Sequence, residues 1–183
     1  MSAATATRTT AIRWHARAGQ GAKTAAHLLA LALLRSGKSV QAFPEYGPER
    51  RGAPVRAYTR VSDRPIRRHD SVVDPDVVVV LDPSLAHEAA VAEGVGPETL
   101  VLVNAEEPPP GLPRARVQCV PAARLAEASG ARFANLVMTG AVAAALGEPP
   151  LETLEQAACA LLGAKSDPQA VKAGIEEGWS WLR

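Results

Sequence analysis

The sequence is poor in most of the residues that build a self-sufficient reaction centre. Only two cysteines, Cys119 and Cys159, occur in 183 residues, and no C-x-x-C spacing exists. A four-thiolate iron–sulfur cluster or a cysteine-rich zinc site is therefore excluded for this chain alone, and both residues read as buried reduced thiols. The four histidines, His15, His27, His69 and His87, are scattered without an H-x-x-x-H pattern, so no metal is assigned. Aromatic residues make up 4% of the chain, and 20 Lys and Arg are balanced by 19 Asp and Glu. Neither nucleic acid nor an anionic membrane is called for by that charge balance. The apolar runs at 28–34 and 77–81 are far shorter than the roughly 20 residues that span a bilayer. Residues 1–10 carry no apolar stretch of signal-peptide type, and read as a flexible lead before one domain at 11–183 in a cytoplasmic protein. Paired-carboxylate spacing, a G-x-S-x-G elbow and a Cys/His constellation are all missing.

What is present has the rhythm of an α/β fold. Thr10 to Arg17 predicts a strand, Ala18-Gly19-Gln20-Gly21 a tight turn, and Ala22 to Ser36 a helix apolar on both sides, closed by Gly37. Ser39 to Phe43 predicts a second strand that stops at Pro44, and Glu45 to Pro54 a loop. Val55 to Val61 then reads as a hairpin or mixed-sheet insertion. Four consecutive valines in 76–82 give a strand buried on both faces, as parallel sheets require, and Pro83-Ser84 reads as the start of a helix. Short strands at 99–104 and 116–120 follow, then helices at 122–129, 134–146 and 151–162. Asp167-Pro168 opens a last helix over about 167–183, whose Trp179 and Trp181 are expected to pack against the domain. The expectation is an α/β protein with a doubly wound, mostly parallel, Rossmann-like sheet carrying a mixed or hairpin insertion.

Two constellations carry chemistry. Gly19-Gln20-Gly21 lies where a strand meets a helix N-terminus and offers backbone N–H groups to a phosphate or carboxylate, with Arg17 beside it. A dinucleotide fingerprint would need glycine where Thr24 stands and an acid closing the second strand, whereas Glu45 lies beyond Pro44; a P-loop would need glycine in place of Ala22. The same glycines also serve a tight turn and close helix packing, and both readings stand. The second constellation is the run from 49 to 68, with seven arginines against Glu49 and Asp63. Arginine at every basic position favours paired contacts with carboxylate or phosphate at an interface. Phe43 and Tyr46 at its edge suit interface anchors.

Taken together, these stretches resemble the gamma subunit family of 2-oxoacid:ferredoxin oxidoreductases of the pyruvate type. The resemblance rests on Ile12-Arg13-Trp14-His15, Arg17, Gly19-Gln20-Gly21, the continuous run from Gln41 to Val55, Thr59 to Asp63, Pro65-Ile66 and Asn135 to Ala141. Ala18 departs from it, standing where the family has another glycine, and residues 165–183 lie outside it. The resemblance implies an enzyme that oxidatively decarboxylates a 2-oxoacid, pyruvate by prior expectation, to an acyl-CoA with electrons passed to ferredoxin, or runs the reverse pyruvate synthase reaction. It implies thiamine diphosphate, Mg, [4Fe-4S] clusters and CoA in the complex, none held by this chain alone, and alpha, beta and delta-type subunits as partners. Arg17, Gly19, Gln20 and Gly21 then become candidates for CoA or another anion; Phe43, Glu45, Tyr46, Glu49, Arg50, Arg51 and Arg56 become candidates for the subunit interface; no catalytic residue is assigned. The alternatives are a free-standing nucleotide-binding α/β module, a scaffolding subunit without ligand, and the small subunit of an indolepyruvate oxidoreductase.

Overall fold

The computed structural model describes residues 9–45, 52–112 and 115–183. Tyr46, Glu49, Arg50 and Arg51, four of the expected interface residues, and nearly all of the expected lead fall outside them. In chain order the elements are β1 (Thr10–Arg17), α1 (Ala22–Arg35), β2 (Ser39–Glu45), β3 (Pro54–Ser62), β4 (Val77–Val80), α2 (Ala89–Ala92), β5 (Leu100–Asn104) and β6 (Arg116–Val120). These are followed by α3 (Ala122–Ser129), α4 (Ala134–Leu146), α5 (Leu151–Leu162) and α6 (Pro168–Trp181).

The strands form one sheet in the order β2-β3-β1-β4-β5-β6. β4, β5 and β6 run parallel to β1, while β3 is antiparallel to both β1 and β2. The expected mostly parallel α/β sheet with a hairpin insertion is therefore what the chain forms. Alternation along β1 places Ile12, Trp14 and Ala16 in the main core and turns Arg13 and His15 to the opposite face. The valines of β4 are buried on both faces: Val77 and Val79 join the main core, Val78 and Val80 a smaller one with Leu85, Val91, Val101 and Val103.

The two faces are covered unequally. α1 lies on β1, β2 and β3 with α4 and α5 behind it, whereas the smaller core is roofed by the short Pro83–Leu85 turn, α2 and neighbouring loops. Close packing fixes α4 against α6. A Cβ at Gly140 would lie 2.1 Å from the Ile175 carbonyl oxygen, and one at Gly178 would lie 1.8 Å from that of Val137. The start of α6 follows its sequence signal, because Asp167 accepts a hydrogen bond from the Gln169 amide at 3.0 Å and Pro168 occupies the first turn.

Five expectations need correction. β2 runs through Pro44 to Glu45; it is an edge strand bonded to β3 alone, where a missing N–H is tolerated. Thr10, which the expected lead and the expected first strand both claimed, belongs to β1. Pro83-Ser84 opens only a three-residue 3-10 turn, with Asp82 capping it through the Ser84 amide at 3.0 Å, and no long helix follows. Trp179 packs onto the core, whereas Trp181 stays 46% exposed and meets the domain at its surface, its Nε1 donating to the Cys119 carbonyl at 2.9 Å. The cysteines are free thiols but half-buried, on β6 and α5.

Candidate functional site

Glycine turn, Asp82 and Asn104 sit together because β1, β4 and β5 are parallel and end at the same rim of the sheet, the usual place for ligands in open α/β folds. Gly19 and Gly21 have φ of 97° and 83°, left-handed values that a side chain makes costly, and Gly21 caps α1. Among the described residues no side chain caps that N-terminus, and no acid stands in the first turn. Lys23 stands there instead. Among the described residues, then, neither a cap nor a first-turn acid complements the positive end of the helix.

Gln20 does not reach outward. Its Oε1 accepts from the Arg17 amide at 2.7 Å and its Nε2 donates to Asp82 Oδ2 at 2.8 Å, so both ends of the side chain brace the turn against β4. Arg17 donates from Nη2 to the Ser84 hydroxyl at 2.8 Å and from Nη1 to the Gly52 carbonyl at 3.2 Å, with Asp82 at 3.4 Å. Burial alone would raise the Asp82 carboxyl. The hydrogen bonds from Ser84 and Gln20, with Arg17 nearby, outweigh it and hold the group below its ordinary value.

Gly21 meets a partner from far along the chain. Asn135, in the first turn of α4, donates from Nδ2 to the Gly21 carbonyl at 3.2 Å, and a Cβ on Gly21 would lie 2.4 Å from that nitrogen. Glycine is required there by Asn135 as well as by φ. On one side of this contact opens a cleft of ≈ 410 Å³, lined by Gly19, Gly21, Thr24, Arg132, Phe133, Asn135 and the apolar Leu136, Leu162 and Val171. A second opening, lined by Gln20, Leu81, Asn104, Ala123, Arg132, Phe133 and Asn135, adjoins it through the three residues before and within α4. Asn104 shapes that side, donating to the Leu81 carbonyl and accepting from the Ala123 amide at the start of α3, both at 3.0 Å.

The opposite face of β1, β2 and β3 carries a second polar cluster. Arg13 is fully buried, and its guanidinium donates to the carbonyls of Val72, Val73, Val91 and Glu93 and to His15 Nε2. Burial, with Arg13 and Arg56 close by, pushes the His15 imidazole down to about 3. Arg56 bridges Glu45 at 2.6 Å and Glu93 at 3.1 Å. The Tyr58 hydroxyl donates to Glu45; burial and that bond push its phenol up to about 12. Phe43 packs its ring 5.1 Å from that of Tyr58.

Of the expected site residues, Arg17, Gly19, Gln20 and Gly21 come together at the rim, and Phe43, Glu45 and Arg56 come together on the sheet's other face. The arginine run divides: Arg60 is 3% exposed and joins Arg68 in contact with Asp70, while Arg64 and Arg67 face solvent. Asp82, Ser84, Asn104, Phe133 and Asn135 were not signalled as site residues, since each is ordinary in its own segment. The described residues contain no cluster of three His, Cys, Asp or Glu able to hold a metal ion, and no helix long and apolar enough to cross a membrane.

Against known proteins, residues 11–177 match the family described as pyruvate ferredoxin/flavodoxin oxidoreductase. Pyruvate synthase subunit PorC of Methanosarcina barkeri is 43% identical over 150 residues, covering 80% of this chain and 82% of that one. The pyruvate/ketoisovalerate oxidoreductases common subunit gamma of Thermococcus kodakarensis is 45% identical over 157 residues, covering 80% and 83%. The crystal structure of pyruvate oxidoreductase subunit PORC from Thermotoga maritima superposes with a TM-score of 0.81 at 36% identity, over 94% of this chain and 96% of that one. A keto/oxoacid ferredoxin oxidoreductase gamma subunit from Geobacter sulfurreducens shares the fold at a TM-score of 0.78 and 21% identity, over 94% and 95%.

Proposed function

The chain belongs to the pyruvate ferredoxin/flavodoxin oxidoreductase family, and from that premise we propose that it is the non-catalytic gamma subunit of a 2-oxoacid:ferredoxin oxidoreductase, acting on pyruvate or a close relative. The observation that carries this reading is the full-length correspondence with a solved subunit: 94% of this chain and 96% of the Thermotoga maritima PORC chain superpose. That solved chain is a subunit of similar length. Such an enzyme decarboxylates its 2-oxoacid on thiamine diphosphate with Mg, sends electrons through [4Fe-4S] clusters to ferredoxin and forms an acyl-CoA. The donor set of this chain does not suit a cluster, since two separated cysteines stand against the four thiolates that one takes. The clusters and the thiamine diphosphate are assigned to alpha, beta and delta-type partners in the cytoplasm.

Two surfaces follow for this chain. The glycine turn receives an anionic group of CoA: the uncapped positive end of α1, the open side of Gly19 and the Arg17 guanidinium all favour a phosphate there. Gln20 positions the turn, and Gly21 allows Asn135 to close against it. The end of β2 and start of β3, with Phe43, Glu45 and Arg56 and the adjoining Tyr46, Glu49, Arg50 and Arg51, form the contact with the partner subunits.

Purification through an N-terminal tag from anaerobic extract, with mass spectrometry and assays for iron and thiamine diphosphate, tests the assignment. Larger chains carrying both cofactors should co-purify. A colourless monomer without partners would overturn the subunit reading and favour a free nucleotide-binding module.

A further inference from the structure

On the face of the sheet away from α1, a cavity of ≈ 240 Å³ opens between the start of β3 and the Pro83–Leu85 turn with α2. His15 lines it and is 3% exposed. Its Nε2 is taken by Arg13 Nε at 3.0 Å, which leaves the ring proton on Nδ1. Among the described residues no group accepts from that N–H, and Nδ1 is not sealed from solvent, so it opens into the cavity. A fixed, neutral donor there calls for an acceptor.

The remaining lining narrows the occupant. Pro54, Val55, Leu85, Ala90 and Val91 supply apolar walls, and Glu45 and Glu88 supply carboxylates. Arg56 is committed to Glu45 at 2.6 Å and Glu93 at 3.1 Å, so among the described residues three carboxylates around the cavity outnumber Arg13 and Arg56. An anion is repelled, while lysine, arginine and tryptophan side chains have no lone pair for His15. Serine, threonine and the amide side chains accept, but leave most of the apolar wall uncovered. A phenol meets every condition: its ring covers the walls, its oxygen accepts from His15 and its O–H donates to a carboxylate.

We propose that this cavity is the socket for a tyrosine side chain of a partner subunit, with His15 Nδ1–H donating to the phenol oxygen and Glu45 or Glu88 accepting from its hydroxyl. The socket presupposes the subunit reading, and two residues that line it, Glu45 and Arg56, belong to the surface given to the partners there. Tyrosine is a common anchor of such pockets.

The probe is para-cresol, the tyrosine side chain as a free molecule. NMR of the full chain labelled at histidine nitrogen should show a saturable shift of His15 Nδ1 on titration with it. Toluene, which lacks the hydroxyl, should bind about tenfold more weakly because the buried donor stays unpaired. Ala90→Phe, on the half-buried roof, should fill the cavity and abolish the binding. No shift at His15 at millimolar para-cresol, or equal affinity for toluene, overturns the socket and leaves a water as the partner of Nδ1. Tighter binding of benzylamine than of para-cresol overturns it too, by marking a cation site. In the assembled enzyme, a photo-crosslinking amino acid in place of the exposed Glu88 should capture a tyrosine-bearing peptide of a partner subunit; capture only of peptides without tyrosine overturns the choice of occupant. The titration needs no partner, so co-purifying subunits without a His15 shift would sink the socket and spare the subunit reading, whereas a lone monomer would sink both.

Discussion

Arg13 Nε donates to His15 Nε2 at 3.0 Å across two residues of one strand. Because the guanidinium has no lone pair to offer, that nitrogen of His15 must be the unprotonated one, and the imidazole is neutral with its proton on Nδ1. The bond settles a tautomer and at the same time forbids the second proton.

Acid should therefore destabilise the fold through His15. The imidazole titrates at about 3 when folded against an ordinary 6.5. Its folded value is depressed, so its contribution is fully present above pH 6.5 and is lost as pH falls towards 3. The loss approaches about 1.4 kcal/mol per pH unit inside that window. Urea unfolding between pH 7 and 4 should show a slope shallower by one proton in His15→Gln, which keeps an acceptor for Arg13. An unchanged slope would refute the assignment.

Arg13→Met should cost about 3 kcal/mol or more, since four backbone carbonyls in two separate segments lose their donor at once. Arg13→Lys should recover only part of the loss, because one ammonium cannot serve carbonyls spread over a guanidinium fork. Denaturant midpoints of the two variants give the comparison.

The two glycines of the turn should respond differently to alanine. Gly19→Ala meets only its left-handed φ, since nothing lies near the added Cβ, and should cost about 1 kcal/mol. Gly21→Ala adds a collision with Asn135 and should cost about 3 kcal/mol, with the Asn135 amide displaced. Gly19 is thus the cleaner position for testing CoA kinetics. Bulk there should raise the KM for CoA with little change in melting temperature.

Gln20→Glu places a carboxylate where Nε2 now donates to Asp82 at 2.8 Å. The variant should lose about 2 kcal/mol at neutral pH through like-charge repulsion and the missing bond. Its deficit should narrow as pH falls through the carboxylate range, because protonation of either acid restores a donor between them. A pH-independent deficit would show that geometry and not charge is at fault.

The sequence disclosed the fold wherever a local pattern was enough. Four valines could only make a strand with two buried faces, and Asp167-Pro168 could only begin a helix. It misjudged β2 because Pro44 is forbidden in a sheet interior and permitted at an edge, and edge status depends on the order of strands. At the rim, Gly19 and Gly21 were conspicuous, yet their partners lie 62 residues away in Asp82, which Gln20 holds, and 114 residues away in Asn135, which Gly21 contacts. Nothing local marks an asparagine on an apolar helix as the far side of a turn. Arg13 appeared only within a family resemblance, and His15 otherwise only as one of four scattered histidines, because a buried polar pair on one face of an otherwise apolar strand is recognised by the carbonyls it meets.

The position of β1 has a kinetic consequence. It is the earliest strand among the described residues, and its register partners run from Pro54 to Val61 on one side and from Val77 to Val80 on the other. β2 and β3 can meet over a short connection, but β1 gains its second neighbour only after Val80 has been made. During synthesis the apolar side of this strand, Ile12 and Trp14 included, must wait for nearly half the chain before the parallel neighbour that completes its cover exists.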